Sequence, residues 1–371
     1  MMQQEGKATF NIGHSFYRPS SQLSRDLGVL AAAVYKQQTG ELRVLDAMTG
    51  CGVRILRYAL EAGADYLWAN DGNPEGHYTL RQNLAPVLES DRYQITHEPA
   101  TRVFLQCALD RDYYDLIDID AFGSPADLIT PSLQALKYGG LLYLTSTDGR
   151  IVSGHFPQES LRLYGAYARS HPSVQEQALR ILIGAIAQQT AAQHCSLQPV
   201  FSLYSGQTYR VMVRVFPKAF NLAKFNRFLG YCSQCGHYET LDWRYLSRAH
   251  CDNHNPPQPM SVSGPLWVGA LHDRAFLQSM ANLAQTWHWQ KVAALLEVMQ
   301  AEANLPPYYF PLGEIGRRGK LDIPPRDRLI QALINAGYVA TNTHLDPQAI
   351  KTNASLKICV DIARSLTESG L

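Results

Sequence analysis

An acid, a small residue, an aromatic ring and a glycine follow one another directly after an apolar stretch of the chain. The stretch "YDLIDID" begins at Tyr114, and its leucine and isoleucine residues indicate a buried strand that ends in Asp120. Asp120 can accept a hydrogen bond, or a proton, from an exocyclic amine on a nucleobase. Phe122 offers a face on which the base can stack, and Gly123 lets the backbone approach closely. The run predicts a base-modifying site with Asp120 and Phe122 as catalytic residues; the alternative is an acid that caps the next helix.

A glycine-containing turn, "MTGCG" at residues 48–52, follows an earlier predicted strand and opens onto a predicted helix. A turn at a helix N-terminus suits a nucleotide-like ligand, although this one is not the G-x-G-x-x-G pattern. Asp71 ends the next strand about 20 residues later, where a carboxylate can bind ribose hydroxyls. Because the turn lacks a lysine for phosphates, S-adenosylmethionine fits better than ATP. The alternative for Asp71 is an ordinary surface acid at a strand end.

Two pairs of candidate metal ligands, each with a two-residue gap, lie in the second half of the chain. The four residues are Cys232, Cys235, Cys251 and His254. Pairs with this spacing are typical of a tetrahedral zinc site, and His237 and His250 are alternative ligands. Since protein atoms take all four positions, the zinc would be structural. The competing interpretation, four unconnected residues, is disfavoured by the spacing.

Alternating strand and helix patterns must position the first two sites. Residues 42–47 read as a strand, 53–62 as a helix with an apolar face, and 66–69 as the next strand. The alternation continues to a long apolar helix that ends near residue 192, and two strands then flank Ser205-Gly206, which is a hairpin signal. The pattern predicts an α/β fold with a doubly wound, mostly parallel sheet and an antiparallel hairpin. Ligands of such sheets bind at the carboxyl ends of the strands.

After Phe216-Pro217 the pattern changes, which predicts a boundary between a domain at residues 1–217 and a smaller α+β domain at residues 218–371. The smaller domain would contain the zinc site, with "NPPQP" as a linker and helices near residues 285–302 and 323–337. Seven basic residues near its end would form a basic wing, with an ordinary α+β appendage as the alternative. They are Arg317, Arg318, Lys320, Arg326, Arg328, Lys351 and Lys357.

Composition restricts the class of protein. Apolar residues make up 46% of the 371 residues and charged residues 18%, as in globular proteins with a sizeable core. No apolar run approaches the roughly 18 residues of a membrane span, the first residues are unlike a secretory signal, and seven cysteines do not suggest a disulfide framework. These features predict a cytoplasmic protein.

Residues 1–148 carry a net charge of −6 and residues 149–371 one of +7, which fits a surface for a polyanion or merely an uneven solvated surface.

Long motifs make the chain similar to a known family over nearly its whole length. They are "FYRPSSQLSRDLGVL", "LDAMTGCGVRILRYALEAGA", "WAND", "IDIDAFGSPADLITPSLQALKYGGLLYLTSTD", "GPLWVGALHD" and "TNTHLDPQAIKTNAS". In these stretches the chain resembles the tRNA (guanine-N2) dimethyltransferase family, whose members methylate the guanine between the D stem and the anticodon stem. The resemblance implies a class I methyltransferase domain that uses S-adenosylmethionine, followed by a family-specific C-terminal domain that binds tRNA.

The resemblance also implies roles for single residues. Arg25 would hold the cofactor's carboxylate, Arg54 would support the same site, and Asp71 would bind the ribose. Asp120 would be the catalytic acid, with Phe122 beside the base. Two further residues would line the cofactor site, at the end of its first strand and in the loop near the adenine. They are Asp46 and Ala100.

The chain departs from the family pattern at a few positions. Ala121 replaces the usual proline after the catalytic acid, although its carbonyl can still accept an N–H from the substrate amine. Pro99 stands where an aspartate usually grips the adenine, and Glu98 is a substitute one residue earlier. Arg18 replaces the usual asparagine of the first motif, and Ser24 precedes Arg25.

These observations predict a tRNA guanine-N2 dimethyltransferase. Its partner would be tRNA, without a membrane association or an evident obligate protein partner. Two alternatives remain open at this stage. One is a tRNA-binding protein with impaired catalysis, which the changes at Pro99 and Ala121 would favour. The other is a methyltransferase that stops at the monomethyl product or acts at a neighbouring guanine.

Overall fold

A seven-stranded sheet organises the first part of the chain in the computed structural model, which describes residues 2–368. A two-stranded hairpin precedes the sheet and consists of β1 (Met2–Glu5) and β2 (Ala8–Asn11). The strands of the large sheet are β3 (Arg43–Asp46), β4 (Tyr66–Asn70), β5 (Tyr93–Thr96), β6 (Tyr114–Asp120), β7 (Leu136–Ser146), β8 (Ser196–Ser205) and β9 (Thr208–Phe216).

The strand order of the large sheet is β5-β4-β3-β6-β7-β9-β8. The first five strands in this order pair in parallel, whereas β9 pairs antiparallel with both β7 and β8. The predicted mostly parallel sheet with an antiparallel hairpin is therefore confirmed. Strands β3 and β6 are central and almost entirely buried, so that three aspartates, Asp46, Asp115 and Asp118, are buried together with their leucine, isoleucine and valine residues.

Helices connect the parallel strands, as the alternating pattern predicts. The helices up to residue 192 are α1 (Gln22–Thr39), α2 (Val53–Leu60), α3 (His77–Leu84), α4 (Ala100–Asp110), α5 (Ala126–Ala135), α6 (Gly149–Val152), α7 (Pro157–Tyr164) and α8 (Val174–Ala192). Helix α1 ends at Gly40, whose φ of 85° provides the left-handed cap that favours glycine. Helix α1 packs against α2, and α4 packs against α5.

The second half of the chain contains shorter strands in three small sheets. The strands are β10 (Asn226–Tyr231), β11 (Tyr238–Leu241), β12 (His250–Cys251), β13 (Gln258–Pro259), β14 (Ser261–Trp267), β15 (Phe310–Pro311), β16 (Ala340–Asn342) and β17 (Ala349–Thr352). The small sheets have the orders β11-β10-β14, β12-β13 and β15-β17-β16. The helices are α9 (Leu222–Phe225), α10 (Arg274–Thr286), α11 (Gln290–Glu302), α12 (Leu312–Gly319), α13 (Arg326–Asn335) and α14 (Leu356–Glu368).

The chain divides into two compact units, each built from three segments. The first unit contains the residues up to Thr147, Gln189–Phe220 and Arg274–Leu296; the second contains Asp148–Gln188, Asn221–Asp273 and the residues from Glu297 onward. The predicted boundary at residue 217 lies near the segment end at Phe220. Two segments lie outside a simple two-part division, since residues 148–188 join the second unit and Arg274–Leu296 joins the first.

Two predictions for the second half of the chain need correction. The stretch "NPPQP" is not a linker, because it contains β13, which pairs antiparallel with β12 so that Cys251 lies opposite Gln258. Proline is tolerated in edge strands, and both strands of this two-stranded sheet are edges. The helix predicted from residue 285 begins at Gln290, and a separate helix, α10, precedes it.

Candidate functional site

A cavity of about 480 Å³ opens beside the carboxyl ends of β3, β4 and β6, all within the first unit. The cavity brings together five of the predicted site residues from separate parts of the chain. They are Arg25, Arg54, Asp71, Asp120 and Phe122. Since ligands of doubly wound sheets bind at this edge, the cavity is the candidate active site.

The glycine turn forms one wall of this cavity and fixes Asp71. The φ angles of Gly50 and Gly52 are 55° and 83°, which only glycine adopts without strain. The Gly50 N–H donates to Asp71 Oδ2 at 2.8 Å, and the Asn73 N–H donates to Asp71 Oδ1 at 2.9 Å. The carboxylate therefore has a set orientation on the cavity wall and can accept further hydrogen bonds from ligand hydroxyls.

Asp46 and Ala100, both predicted to bind the cofactor, do not line the cavity. Asp46 is fully buried beneath the turn, where its Oδ1 accepts the Met48 N–H at 3.3 Å. Burial, together with the negative charge of Asp118, raises the pKa of Asp46 well above its ordinary value. Ala100 is buried at the start of α4. Asp46 thus supports the turn from below, through the hydrogen bond that it accepts from Met48.

Arg25 lines the cavity, but most of its guanidinium is already engaged. Its Nε donates to Glu5 Oε1 at 2.7 Å, and its Nη2 donates to the Arg18 carbonyl oxygen at 3.1 Å. Glu5 also accepts from Arg57 Nη1 at 2.9 Å. Burial would raise the pKa of Glu5, but the hydrogen bond and charge of Arg25, with the charge of Arg57, lower it. Glu5 of the first hairpin therefore pairs with two buried guanidinium groups, those of Arg25 and Arg57.

Arg54 lines the cavity and also pairs with two acids. Its Nη1 donates to Asp118 Oδ2 at 3.0 Å and its Nη2 donates to Asp120 Oδ2 at 2.6 Å. The Tyr58 hydroxyl donates to the same Asp118 oxygen at 2.7 Å. Arg54 thus holds the candidate catalytic acid, in addition to lining the cavity.

A second guanidinium reaches Asp120 from β9, and sequence reasoning missed it. Arg210 Nη2 lies 3.4 Å from Asp120 Oδ1, and the Arg210 side chain is nearly buried. Burial would raise the pKa of Asp120, but the charges of Arg54 and Arg210 hold it well below its usual range. Asp120 is therefore an ionised hydrogen-bond acceptor at neutral pH. The only signal in the sequence was a pair of arginines, Arg210 and Arg214, within a largely apolar hairpin strand.

Phe122 follows the acid and lies at the mouth of the cavity, where its side chain is 76% exposed. The next residue, Gly123, has a φ of 76°, and its N–H donates to Thr147 Oγ1 at 2.7 Å. A second exposed ring, Phe16, also lines the cavity and contacts Phe122 edge to face at a centroid distance of 5.3 Å. Sequence reasoning missed Phe16, because it lies more than a hundred residues before its partner.

Glu98 does not reach the cavity as a substitute for the usual adenine-binding aspartate. Its carboxylate forms an exposed ion pair with Arg102, and its backbone carbonyl accepts from Asn70 Nδ2 at 2.9 Å. Neither Glu98 nor Pro99 lines the cavity. The loop that carries them is held through its backbone.

The four predicted zinc ligands converge in the second unit. Their ligand atoms all lie within 4.8 Å of one another, with Cys232 Sγ 3.4 Å from His254 Nε2 and Cys235 Sγ 3.5 Å from Cys251 Sγ. A tetrahedral zinc with Zn–S bonds of about 2.3 Å separates its ligand atoms by roughly 3.7 Å. The donor set and spacing therefore fit zinc.

The structure excludes His237 and His250 from the cysteine cluster, since neither contributes a ligand atom to it. The Cys232 N–H donates to the His237 carbonyl oxygen at 2.9 Å, so His237 contributes its backbone to the turn. Arg318 supports the same turn, with its Nη2 donating to the Ser233 carbonyl oxygen at 3.0 Å and to the Tyr231 hydroxyl at 3.2 Å.

A second group of metal-ligand types occurs in the second unit, where His272, Glu302 and His344 are buried together. His344 Nδ1 makes a short contact with Glu302 Oε1. Burial would raise the pKa of Glu302, but the charges of His344 and Lys351 and hydrogen bonds from both histidines hold it well below its ordinary value. The positive charge of Lys351 acts on the same carboxylate and disfavours binding of a metal ion there, so we interpret the cluster as a buried polar network.

The predicted basic wing is only partly correct. Lys351 is buried and pairs with Glu176 at 2.6 Å, and Arg318 supports the cysteine turn, so neither is available to a polyanion. A different basic surface, Trp243–Arg248, forms an exposed 3₁₀ helix between the two ligand pairs. In this segment Trp243 and Tyr245 are 47% and 51% exposed, and the Arg248 guanidinium lies 5.2 Å from the Tyr245 ring centroid.

Within residues 2–368, no helix combines the length and the apolar character that crossing a membrane would require.

Comparison with known proteins gives consistent matches along the whole chain. A family model described as N2,N2-dimethylguanosine tRNA methyltransferase matches residues 2–364. A relative from Archaeoglobus fulgidus, named tRNA (guanine(26)-N(2))-dimethyltransferase, is 30% identical over 367 residues, which cover 98% of each chain. A relative of the same name from Thermococcus kodakarensis is 27% identical over 369 residues, covering 95% of this chain and 93% of the relative.

One solved structure is similar over nearly the whole chain. It is that of Trm1 from Pyrococcus horikoshii in complex with S-adenosyl-L-methionine. The two structures have a TM-score of 0.84 and 27% sequence identity, and the match covers 98% of this chain and 99% of the other. Together with the mostly parallel sheet, this similarity identifies the fold as that of a class I methyltransferase.

Proposed function

Since the chain belongs to the N2,N2-dimethylguanosine tRNA methyltransferase family, we propose that it carries out the reaction for which its relatives are named, dimethylation of the exocyclic amine of guanine 26 in tRNA. The chain is a tRNA guanine-N2 methyltransferase. One observation supports the reaction most directly: an ionised acid and an exposed aromatic ring lie at the mouth of a cavity whose wall carries a fixed carboxylate.

The residues of the cavity fit S-adenosylmethionine as the cofactor. When bound, this cofactor supplies an electrophilic methyl group. Asp71 would accept hydrogen bonds from its ribose hydroxyls, because two backbone N–H groups already orient the carboxylate. Arg25 would contact its carboxylate with the part of the guanidinium that faces the cavity. The absence of a lysine from the glycine turn accords with a ligand that has no phosphates.

Asp120 would hold the substrate amine in line for methyl transfer. The lone pair of an exocyclic amine is delocalised into the ring, and the amine reacts better when acceptors bind its N–H groups. Asp120 and the Ala121 carbonyl provide two such acceptors at adjacent positions. Because its pKa is held low, Asp120 would bind the amine without retaining the proton, which would pass to water at the cavity mouth. Phe122 would stack on the extruded base.

Residues 218–371 would supply most of the tRNA contacts outside the cavity. The exposed segment Trp243–Arg248 combines two aromatic rings with Arg244 and Arg248. Arginines neutralise phosphates and aromatic rings stack on unpaired bases, so this composition suits RNA. The group of basic side chains predicted near residue 317 would contribute less, because Arg317 already pairs with Glu314.

A structural zinc ion bound by the cysteine cluster is part of the proposal. All four positions would be protein ligands, so the ion would take no part in methyl transfer. It would stabilise the segment at residues 232–254, which includes Trp243–Arg248. A cytoplasmic location is also proposed. The seven cysteines are free thiols, as expected in a reducing compartment.

Methyl transfer to defined tRNA tests the proposed function. Purified protein, S-adenosylmethionine and a tRNA transcript with guanine 26 should yield N2,N2-dimethylguanosine, detected by mass spectrometry of the digested nucleosides. The matched substrate is the same transcript with adenine at position 26, which should remain unmodified. A product that stops at the monomethyl stage, or that forms equally on the adenine-26 transcript, would contradict the proposed reaction or position.

A further inference from the structure

Four arginines among residues 2–368 line the cavity, and they differ in what they contact. Three of them pair with acids of the first unit. They are Arg25, Arg54 and Arg210. The fourth, Arg18, is exposed, and no acid in the described part of the chain pairs with it. A guanidinium without an acid partner at the edge of a cavity is available to an anionic ligand.

The backbone and the guanidinium of Arg18 are both held in place. The Arg18 carbonyl oxygen accepts hydrogen bonds from Arg25 Nη2 and from the Ser21 N–H, each at 3.1 Å. The Arg18 Nε donates to Ser20 Oγ at 3.0 Å, which orients the plane of the guanidinium. Neither Nη group has a hydrogen-bond partner among residues 2–368. Two adjacent N–H groups of this kind match two oxygens of a phosphate.

The tip of the β8–β9 hairpin lies opposite this guanidinium. Gly206 at the tip is exposed, and a Cβ added to it would lie 3.9 Å from Arg18 Nη2. Thr208, two residues later, lines the cavity. Arg18 therefore lies at the solvent edge of the cavity, whereas Asp71 lies on the wall that the glycine turn forms.

The charge around the cavity shows why an anionic substrate needs this cation. Residues 1–148 carry a net charge of −6, and Asp71 and Asp120 both line the cavity. These charges oppose the approach of a polyanion. A base that reaches Asp120 leaves its ribose and its phosphates at the cavity mouth. A phosphate at that position is stabilised by a cation whose charge no acid already offsets.

We propose that Arg18 binds a phosphate that flanks the target guanine and thereby holds the extruded nucleotide at the cavity. This inference rests on the proposed function, because it requires a nucleotide of the tRNA as the ligand. Arg18 is also the position at which the chain departs from the usual asparagine of its first motif. Since asparagine is neutral, the contact is a substrate-binding feature that the arginine adds to this chain.

Two variants test whether Arg18 acts on the substrate. Arg18→Gln should lower kcat/KM for methyl transfer to tRNA about tenfold, as expected for the loss of one charge-assisted contact. Arg111→Gln is the matched control, because Arg111 is exposed and lies shortly before the start of β6, at the end of that strand remote from Asp120. The control should keep the wild-type value. Affinity for S-adenosylmethionine without tRNA, measured by calorimetry, should be unchanged in both variants.

A neutral phosphate analogue tests the contact itself. Two tRNAs each carry a single methylphosphonate, one on the 5′ side and the other on the 3′ side of guanosine 26. With the wild-type protein, one of these tRNAs should show about the same loss of kcat/KM as Arg18→Gln shows with unmodified tRNA. With Arg18→Gln, that same tRNA should show no further loss, because the contact is already absent.

Three results would overturn the contact while leaving the proposed function intact. The first is an equal kcat/KM for wild type and Arg18→Gln. The second is a methylphosphonate loss that is as large in Arg18→Gln as in wild type, at both positions. The third is weaker binding of S-adenosylmethionine by Arg18→Gln without tRNA, which would assign the guanidinium to the carboxylate of the cofactor. Wild-type protein that transfers no methyl group to unmodified tRNA would overturn both proposals.

Discussion

At the scale of single residues, the main feature of the candidate active site is the pair of positive charges that contact Asp120. Two guanidinium groups, from Arg54 and Arg210, contact its two carboxylate oxygens. An acid in this setting stays ionised, so its contribution to catalysis is to accept a hydrogen bond at a fixed position. The same charges bind the strand end tightly enough that substitution of the acid should alter chemistry more than architecture.

The first prediction concerns the acid itself. Asp120→Asn should lower the single-turnover rate of methyl transfer about a hundredfold or more, within the usual range for loss of a positioned catalytic group. Asparagine keeps the size and one acceptor oxygen, but its amide can point a donor at the substrate amine. Binding of tRNA and cofactor should remain close to wild type in equilibrium measurements. A wild-type rate at saturating tRNA would show that Asp120 only ends its strand.

The second prediction concerns pH and Arg54. Because the folded-state pKa of Asp120 is depressed, its carboxylate and the stability it contributes persist as the pH falls, and both are lost only below the usual carboxyl range. The wild-type single-turnover rate should therefore show no loss from Asp120 between about pH 8 and pH 5.

Arg54→Gln removes one cation, and burial should then raise the pKa of Asp120, so that the rate falls at the acidic end of this range. Arg54→Lys keeps the positive charge and is the matched control, with a flatter profile than Arg54→Gln. Indistinguishable pH profiles for the two variants would argue against control of Asp120 by Arg54. Thermal unfolding of both variants would reveal any general destabilisation from leaving Asp118 without its partner.

At the scale of elements, the hairpin of β12 and β13, which contains the candidate metal ligands Cys251 and His254, has little regular structure. Strands β12 and β13 contribute only two residues each, and the turn at Cys232 is held by backbone hydrogen bonds and by Arg318. So few ladder bonds leave the hairpin dependent on a cross-link. Metal binding supplies such a cross-link as folding free energy.

The third prediction is that purified protein contains one zinc per chain. Cys232→Ser should abolish stoichiometric zinc, measured by elemental analysis, and make the hairpin sensitive to proteases, because a ligand of a closed site is lost. Cys195→Ser is the matched control, since that buried cysteine lies outside the cluster. Full zinc content in Cys232→Ser would exclude this residue as a ligand.

The elements also explain which residues of the candidate site the sequence reveals. Asp120 and Phe122 were predictable because the acid, the ring and the strand that carries them are contiguous. Arg210 and Phe16 were not, because they reach the site only when distant segments fold together. The proline-rich stretch after His254 was misread for a different reason, since it pairs with the neighbouring strand β12 although its composition is typical of a linker.

At the scale of the whole molecule, binding and chemistry are assigned to different residues. The residues proposed for methyl transfer lie in the first unit, whereas Trp243–Arg248, proposed to bind tRNA, belongs to the second. The sequence predicts this division of labour, which stays a prediction, but it does not predict the segments that form each unit. A single boundary cannot represent a chain that crosses from one unit to the other several times, and only the folded contacts define those crossings.

The fourth prediction separates the two roles. Arg244→Gln with Arg248→Gln should weaken tRNA binding and reduce the salt dependence of the dissociation constant by about two phosphate contacts. The single-turnover rate at saturating tRNA should be unchanged, because neither residue lies in the cavity. Arg162→Gln is the control, since that exposed arginine already pairs with Glu159. A lower rate at saturation, with normal affinity, would place these arginines in catalysis.

The hairpin of β1 and β2 has a practical consequence. Glu5, in a strand of only four residues, pairs with Arg25 on the cavity wall and with the fully buried Arg57. Cleavage after this hairpin would leave the buried Arg25 without its carboxylate partner, whereas Arg57 would keep Asp26 and Glu61, and no residue of the cavity would be removed. A shortened preparation could thus be inactive for reasons invisible at the active site, so an affinity tag released by a protease needs a cleavage point that spares the first strand.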